Sequence, residues 1–117
     1  VETAQRCEAA GAAMVHVHIR DDEHRPTLDV GRLQDTVAAL REHSTLVVQL
    51  STGGSVHDPL DRPLQVLDAE PDSCSLTMGT TNFGDDVFVN PWPFVKDLYQ
   101  LSQERAVVPE FELFDLR

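Results

Sequence analysis

The sequence predicts an α/β fold with parallel strands, best fitted by about half of a (β/α)8 TIM barrel. Three observations lead there. Strand-like apolar runs alternate with amphipathic helical stretches along all 117 residues, in the order α-β-α-β-α-β-α-β. Such alternation calls for parallel strands joined by right-handed helical crossovers. Two architectures satisfy it, an open doubly wound sheet and part of a barrel. No Gly-x-Gly-x-x-Gly follows a strand, so the dinucleotide-binding version of the open sheet has no support. Three of the four strands carry polar side chains at every second position. Strands of an open parallel sheet are apolar on both faces, whereas a barrel lumen that leads to a site at the strand C-termini accommodates a polar face. A full barrel takes about 250 residues, so four strands make roughly half of one.

The elements follow in order. Val1 to Ala10 reads as a helix with small or apolar residues at Val1, Ala4, Cys7 and Ala10, closed by Gly11, which tolerates positive φ. Ala13 to Asp21 is a β-branched strand. Asp21 to Thr27 is a polar loop in which Pro26 blocks an early helix. Asp29 caps a helix to about His43, with Val30, Leu33, Val37 and Leu40 at helical spacing. Leu46 to Leu50 is the second strand and runs into Ser51-Thr52-Gly53-Gly54. Asp61 caps a helix with Pro63 in its first turn, continuing through Leu64 to Ala69 and ending at Pro71. Ser73 to Met78 is the third strand. Asn90 caps the last helix with Pro91 at its first position, and Phe94, Val95, Leu98 and Leu101 form its buried stripe. Val107 to Leu116 is the fourth strand, with Glu110 and Glu112 on one face and Phe111 and Leu113 on the other.

Composition narrows the function. Nine Lys and Arg stand against 20 Asp and Glu, a net charge of -11. Nucleic-acid binding through a basic surface is therefore excluded. No apolar run is long enough to cross a bilayer, and no signal-peptide pattern is present. Cys7 and Cys74 belong to no Cys-x-x-Cys pair, so reduced thiols in the cytoplasm are the expectation. The chain opens on Val1 in what reads as mid-helix and closes on a strand. The expectation is a single partial barrel domain, an internal piece of a longer protein. Half a barrel leaves open edges, which favours assembly into a homo-oligomer.

The chemistry centres on Met14-Val15-His16-Val17-His18-Ile19-Arg20-Asp21. Side chains alternate along a strand, so Val15, Val17 and Ile19 share one face and His16, His18 and Arg20 the other. Two residues of rise separate the imidazoles by about 6.6 Å at the backbone. Both rings can bend from there toward one ion lying about 2.0–2.1 Å from each nitrogen. The competing reading of each histidine is an ordinary hydrogen-bonded lumen residue. Arg20 is expected to pair with a carboxylate such as Asp21 or Glu112. His24, His43 and His57 read as surface residues, and Asp85-Asp86 as a solvated loop.

Several spaced motifs then occur in one order: Gly11-Ala12-Ala13-Met14-Val15-His16-Val17-His18-Ile19-Arg20-Asp21, Gln49-Leu50-Ser51-Thr52-Gly53-Gly54, Ser75-Leu76-Thr77-Met78-Gly79 with Asn82-Phe83, and Pro109-Glu110-Phe111-Glu112-Leu113-Phe114-Asp115. On these the sequence resembles the β-keto acid cleavage enzymes along essentially its whole length. The resemblance implies a zinc-dependent (β/α)8 barrel. Such enzymes convert a β-keto acid and acetyl-CoA into acetoacetate and a new CoA thioester. It implies His16 and His18 as zinc ligands, and Thr52, Gly53 and Gly54 as holders of the substrate carboxylate. It places Ser75 and Thr77 among the substrate-binding positions and Glu112 as a pocket-facing catalytic carboxylate. A third zinc ligand, a glutamate, and an arginine and an aspartate that help run the chemistry are implied beyond Arg117, and another glutamate before Val1. Some members carry an amide where Thr77 stands, which leaves the β-keto acid open, and Pro63 also departs from the family pattern. Glu112 fits three roles: orienting water, binding an amino substituent or holding a ligand.

Structural duties compete with these roles. Thr52-Gly53-Gly54 is also a plain strand-to-helix turn, Ser75 and Thr77 are also interior packing residues, and Glu112 is also a candidate structural carboxylate. Two other functions stand beside the first. An amidohydrolase-like metal-dependent barrel also places His-x-His on a strand, but wants further His and Asp ligands on later strands, and none occurs in the three that follow. The other is a non-catalytic, truncated half-barrel.

Overall fold

The computed structural model describes residues 1–114. The elements are α1 (Glu2–Ala9), β1 (Met14–Val17), α2 (Val30–His43), β2 (Val47–Leu50), α3 (Arg62–Gln65) running into a 3₁₀ turn (Val66–Ala69), β3 (Ser73–Thr77), β4 (Thr81–Phe83), β5 (Asp86–Phe88), α4 (Trp92–Glu104) and β6 (Val108–Glu112). Four strands form one parallel sheet in the order β1-β2-β3-β6. Each neighbour in that order is reached through a helical crossover, as the alternation requires.

Period-2 alternation divides the sheet into two faces. Val48 and Leu50 of β2 and Cys74 and Leu76 of β3 are no more than 1% exposed. Val48 and Leu50 pack with Ala4 of α1, Leu33, Val37 and Leu40 of α2 and Val66 of the 3₁₀ turn, with Val15, Val17 and Ile19 at the margin. Cys74 and Leu76 pack with Phe94, Val95 and Leu98 of α4 and with Leu67 and Val107. Burying aliphatic side chains of this size stabilises by roughly 1.5–3 kcal/mol each. The helices pack against this face. The alternate residues, His16, Gln49, Ser73, Ser75, Thr77, Glu110 and Glu112, form the opposite, polar face. This one-sided covering among the described residues is consistent with part of a barrel wall.

Several local readings are corrected. The histidine strand is shorter than the apolar run, so His18 lies just past its end. Asp61 makes no side-chain cap, and the helix after it is one α turn followed by a 3₁₀ turn. Pro91, not Asn90, is the cap residue of α4. The Asn90 backbone N–H instead donates to Thr80 Oγ1 at 2.9 Å, tethering the segment before the helix. Asp29 does cap α2, its carboxylate accepting from the Arg32 N–H at 2.9 Å. Residues 80–89 hold an antiparallel hairpin, β4 with β5, that was not anticipated. The last strand ends at Glu112, short of the expected Leu116, and Asp115 to Arg117 lie outside the described residues. No described helix is long and apolar enough to cross a membrane.

Candidate functional site

The polar face starts at the register of β1 and β2, which puts His16 beside Gln49. Gln49 is 2% exposed. Its Oε1 pairs with His16 Nδ1. The other ring nitrogen, Nε2, lies 3.0 Å from His18 Nε2, the two rings tilted at 60°. The i, i+2 spacing has thus brought two imidazole nitrogens together at the open side of the sheet. Surroundings that displace water from the ring hold the His18 pKa below its ordinary value; His16 and Arg20 act in the same direction and Glu112 in the opposite one. The net lowering favours the neutral ring, the form in which it offers a lone pair.

Two nitrogens on one tetrahedral zinc, each about 2.0–2.1 Å from it, lie roughly 3.3 Å apart. The observed 3.0 Å fits that donor pair. Among the described residues no group of three or more His, Cys, Asp or Glu is arranged to hold a metal ion. The described residues therefore offer two imidazole donors, and a stable site needs at least one more.

The next rows of the face are built by β3 and β6. Ser75 lies beside Glu110 and Thr77 beside Glu112. Thr77 Oγ1 donates to Glu112 Oε2 at 2.8 Å, fixing that carboxylate toward the open side. Ser75 is engaged elsewhere: its hydroxyl accepts from the Thr52 N–H at 3.1 Å, and its carbonyl accepts from Thr52 Oγ1 at 2.9 Å. The Gly53 N–H donates to Ser51 Oγ at 3.1 Å. At Gly54 an added Cβ would collide with the Asp58 carboxylate and lie 2.9 Å from Leu28 Cγ, so glycine is required there by close approach.

A cavity of about 290 Å³ opens between these rows. Its polar wall is His18, Ser51, Gly53, Gly54, Thr77 and Glu112. Its apolar wall is Val56, Phe83, Phe88 and Phe114, with the two hairpin phenylalanines edge to face at 6.2 Å between centroids. Thr52 and Ser75 are buried and stand outside this lining. A larger groove of about 620 Å³ follows the unpaired edge of β1 toward α1 and α2. It touches both histidines, but it is the open border of a sheet, whereas the smaller cavity collects the polar groups.

The structure thus brings His18, Gly53, Gly54, Thr77 and Glu112 around one opening, with His16 against His18 beside it, and sets Thr52 and Ser75 behind it as a bonded pair. Arg20 does not form the expected ion pair: its Nη1 donates to the His24 carbonyl at 2.8 Å, and Asp21 binds Arg25. Gln49, Ser51 and the hairpin phenylalanines were missed. A glutamine inside an apolar strand was the available signal, since a buried amide needs partners on every side.

The model of the family described as "beta-keto acid cleavage enzyme" matches residues 1–117. The chain belongs to this family. It is 38% identical to a 3-keto-5-aminohexanoate cleavage enzyme of Fusobacterium nucleatum subsp. nucleatum, over 96% of this chain and 42% of that one. A protein of the same name from Acetoanaerobium sticklandii is 35% identical over 98% of this chain and 43% of its own. A 3-oxoadipate:acetyl-CoA acetyltransferase of Cupriavidus necator is 35% identical over 99% and 41%. The β-keto acid cleavage enzyme family chain described here thus spans about two-fifths of the length of these curated relatives.

Proposed function

We propose that this chain carries the metal-binding and part of the substrate-binding half of a zinc-dependent β-keto acid cleavage enzyme, an acyltransferase that cleaves a carbon–carbon bond. The reaction exchanges acyl groups: the acyl unit of the keto acid passes to CoA, and the acetyl group of acetyl-CoA joins the released acetate unit as acetoacetate. The observation that supports this most is the meeting of His16 and His18 Nε2 at 3.0 Å beside the cavity that holds Thr77 and Glu112. Family membership favours it over the metal-dependent hydrolase reading.

His16 and His18 would hold the zinc, with a further ligand from outside residues 1–117. A bound zinc supplies Lewis-acid polarisation of the substrate's keto oxygen. Gly53 and Gly54, in the loop after β2, line the end of the cavity suited to the substrate carboxylate. The Thr52 N–H and hydroxyl are already spent on Ser75, so this pair shapes the loop and reaches a carboxylate only by exchanging those bonds. Thr77 aims Glu112, whose charge at the cavity wall selects against a second carboxylate and for a neutral or amino substituent. Val56, Phe83 and Phe88 give the substituent's side an apolar lining. A complete (β/α)8 barrel in a cytoplasmic homo-oligomer is the assembly that fits a sheet whose β1 and β6 edges lack partners among the described residues.

The test is made on the full-length protein. A panel of β-keto acids with acetyl-CoA should yield acetoacetate and the matching acyl-CoA, followed by mass spectrometry. Chelation should stop the reaction, and added zinc should restore it. The His16→Ala variant should neither retain zinc nor turn over. Full zinc content in His16→Ala, or release of the keto acid's products without CoA, would defeat the reading.

A further inference from the structure

We infer that Gln49 and Glu110 act together as positioning residues that set the tautomer of His16, so that its Nε2 is offered to a metal before any metal arrives. The inference rests on the reading of His16 as a zinc ligand only for its consequence; the tautomer itself follows from contacts within the chain. A carboxylate has no hydrogen to give, so an amide group can meet it only through its NH₂. Gln49 Nε2 meets Glu110 Oε2 at 3.1 Å, and its second hydrogen goes to Ser73 Oγ at 3.0 Å. Both amide hydrogens are then used. The amide oxygen is thereby turned toward His16 Nδ1. An amide oxygen only accepts, so Nδ1 must carry the proton. In a neutral ring that leaves the lone pair on Nε2, the nitrogen which faces His18.

The chain of consequence runs one residue further. With the lone pair on His16 Nε2, the 3.0 Å contact to His18 Nε2 requires the hydrogen to come from His18. The two ligands are therefore unequal in the metal-free protein. His16 is preset, whereas His18 must move its proton from Nε2 to Nδ1 to bind. Gln49 is almost fully buried and Ser73 is 4% exposed, so the amide itself is shielded from water, while Glu110 and His16 at its two ends are exposed. Glu110 thus governs a histidine that it does not touch.

The experiment has two arms. Nitrogen-15 imidazole spectra of the metal-free native protein, recorded at pH 8, should show His16 protonated on Nδ1 and His18 on Nε2. On addition of zinc the His18 pattern should switch and the His16 pattern should not. The second arm measures zinc affinity by chelator competition. Glu110→Gln presents a group that accepts either end of Gln49, so the amide is free to turn; affinity should fall roughly 10–100-fold, the usual loss for an outer-sphere partner, and His16 should become a tautomer mixture. The double variant Gln49→Glu with Glu110→Gln again turns an acceptor toward Nδ1 and should recover most of the affinity. A merely structural role for Gln49 would not give this recovery. His16 protonated on Nε2 in the native protein would overturn the inference whatever the variants do. Unchanged zinc affinity in a folded Glu110→Gln variant would overturn it as well. If the native protein took up no zinc, the metal reading would fail, and the tautomer spectra would still decide the roles of Gln49 and Glu110.

Discussion

The two faces of the sheet are made by the same strands and differ in every respect that matters. On the helix side, Val48, Leu50, Cys74 and Leu76 belong to two clusters of buried apolar side chains. On the other side, Gln49, Ser73, Ser75 and Thr77 are each at most 5% exposed, and each has a hydrogen-bond partner. Burial alone therefore does not separate the faces; the kind of neighbour does. The first face gains free energy from removing apolar area from water and specifies the fold. The second contributes little net stability per hydrogen bond, about 0.5–1.5 kcal/mol, and instead holds side chains in fixed directions. Directed groups that end in two imidazoles and a carboxylate at an open cavity are an arrangement for a ligand rather than for folding.

The contrast can be broken on its stronger side first. Leu50→Ala removes a fully buried side chain from the helix face. It should cost about 2–5 kcal/mol in urea unfolding, with the cavity contribution included. A loss under about 1 kcal/mol would mean that this face does not hold the fold. The thiols sharpen the comparison next. Burial pushes Cys74 up to about 11, while Cys7 is exposed on α1. A disulfide reagent at pH 8 should modify one thiol per folded chain, with Cys74 reacting at least roughly a hundredfold more slowly until the chain is unfolded. Equal rates would place water beside Cys74 and dissolve the distinction.

On the polar face, Thr77→Val keeps the volume but removes the bond to Glu112. Stability should change by about 1 kcal/mol, while KM for the keto acid should rise more than kcat falls. An effect on stability alone would assign Thr77 to packing.

The smallest effect concerns pH. The Asp72 carboxyl lies below its usual range, first because it accepts from the Val48 N–H at 2.8 Å and then because Arg41 is beside it. A carboxylate with a lowered folded-state pKa contributes stability that is complete above its unfolded value near pH 4, and that is lost as the pH falls through the folded value. Asp72 is partly exposed, so the contribution is under about 1 kcal/mol. Asp72→Asn should flatten the acid limb of the stability profile below pH 4 and leave the neutral region's slope unchanged. A profile that steepened would contradict the assignment.

Much of this architecture was readable from residue periodicity. Val48 and Leu50 against Gln49, and Cys74 and Leu76 against Ser73, Ser75 and Thr77, alternate with period two, and that pattern gave both the strands and their two faces. The histidine pair was readable for the same reason. The hairpin of residues 80–89 was not, because its strands are three residues each and its Gly84-Asp85 turn lies among other loop-forming residues. The Thr52–Ser75 pair and the Glu110–Gln49–His16 chain were not readable either. They depend on which residues of different strands lie side by side, and β-strand register is set by packing and connections rather than by local sequence.

The most direct measurement is zinc-edge X-ray absorption on the full-length protein, native and with His18→Ala. The account predicts imidazole nitrogens about 2.0–2.1 Å from the metal, and one imidazole fewer in the variant. A spectrum without imidazole scattering, or one left unchanged by His18→Ala, would contradict it.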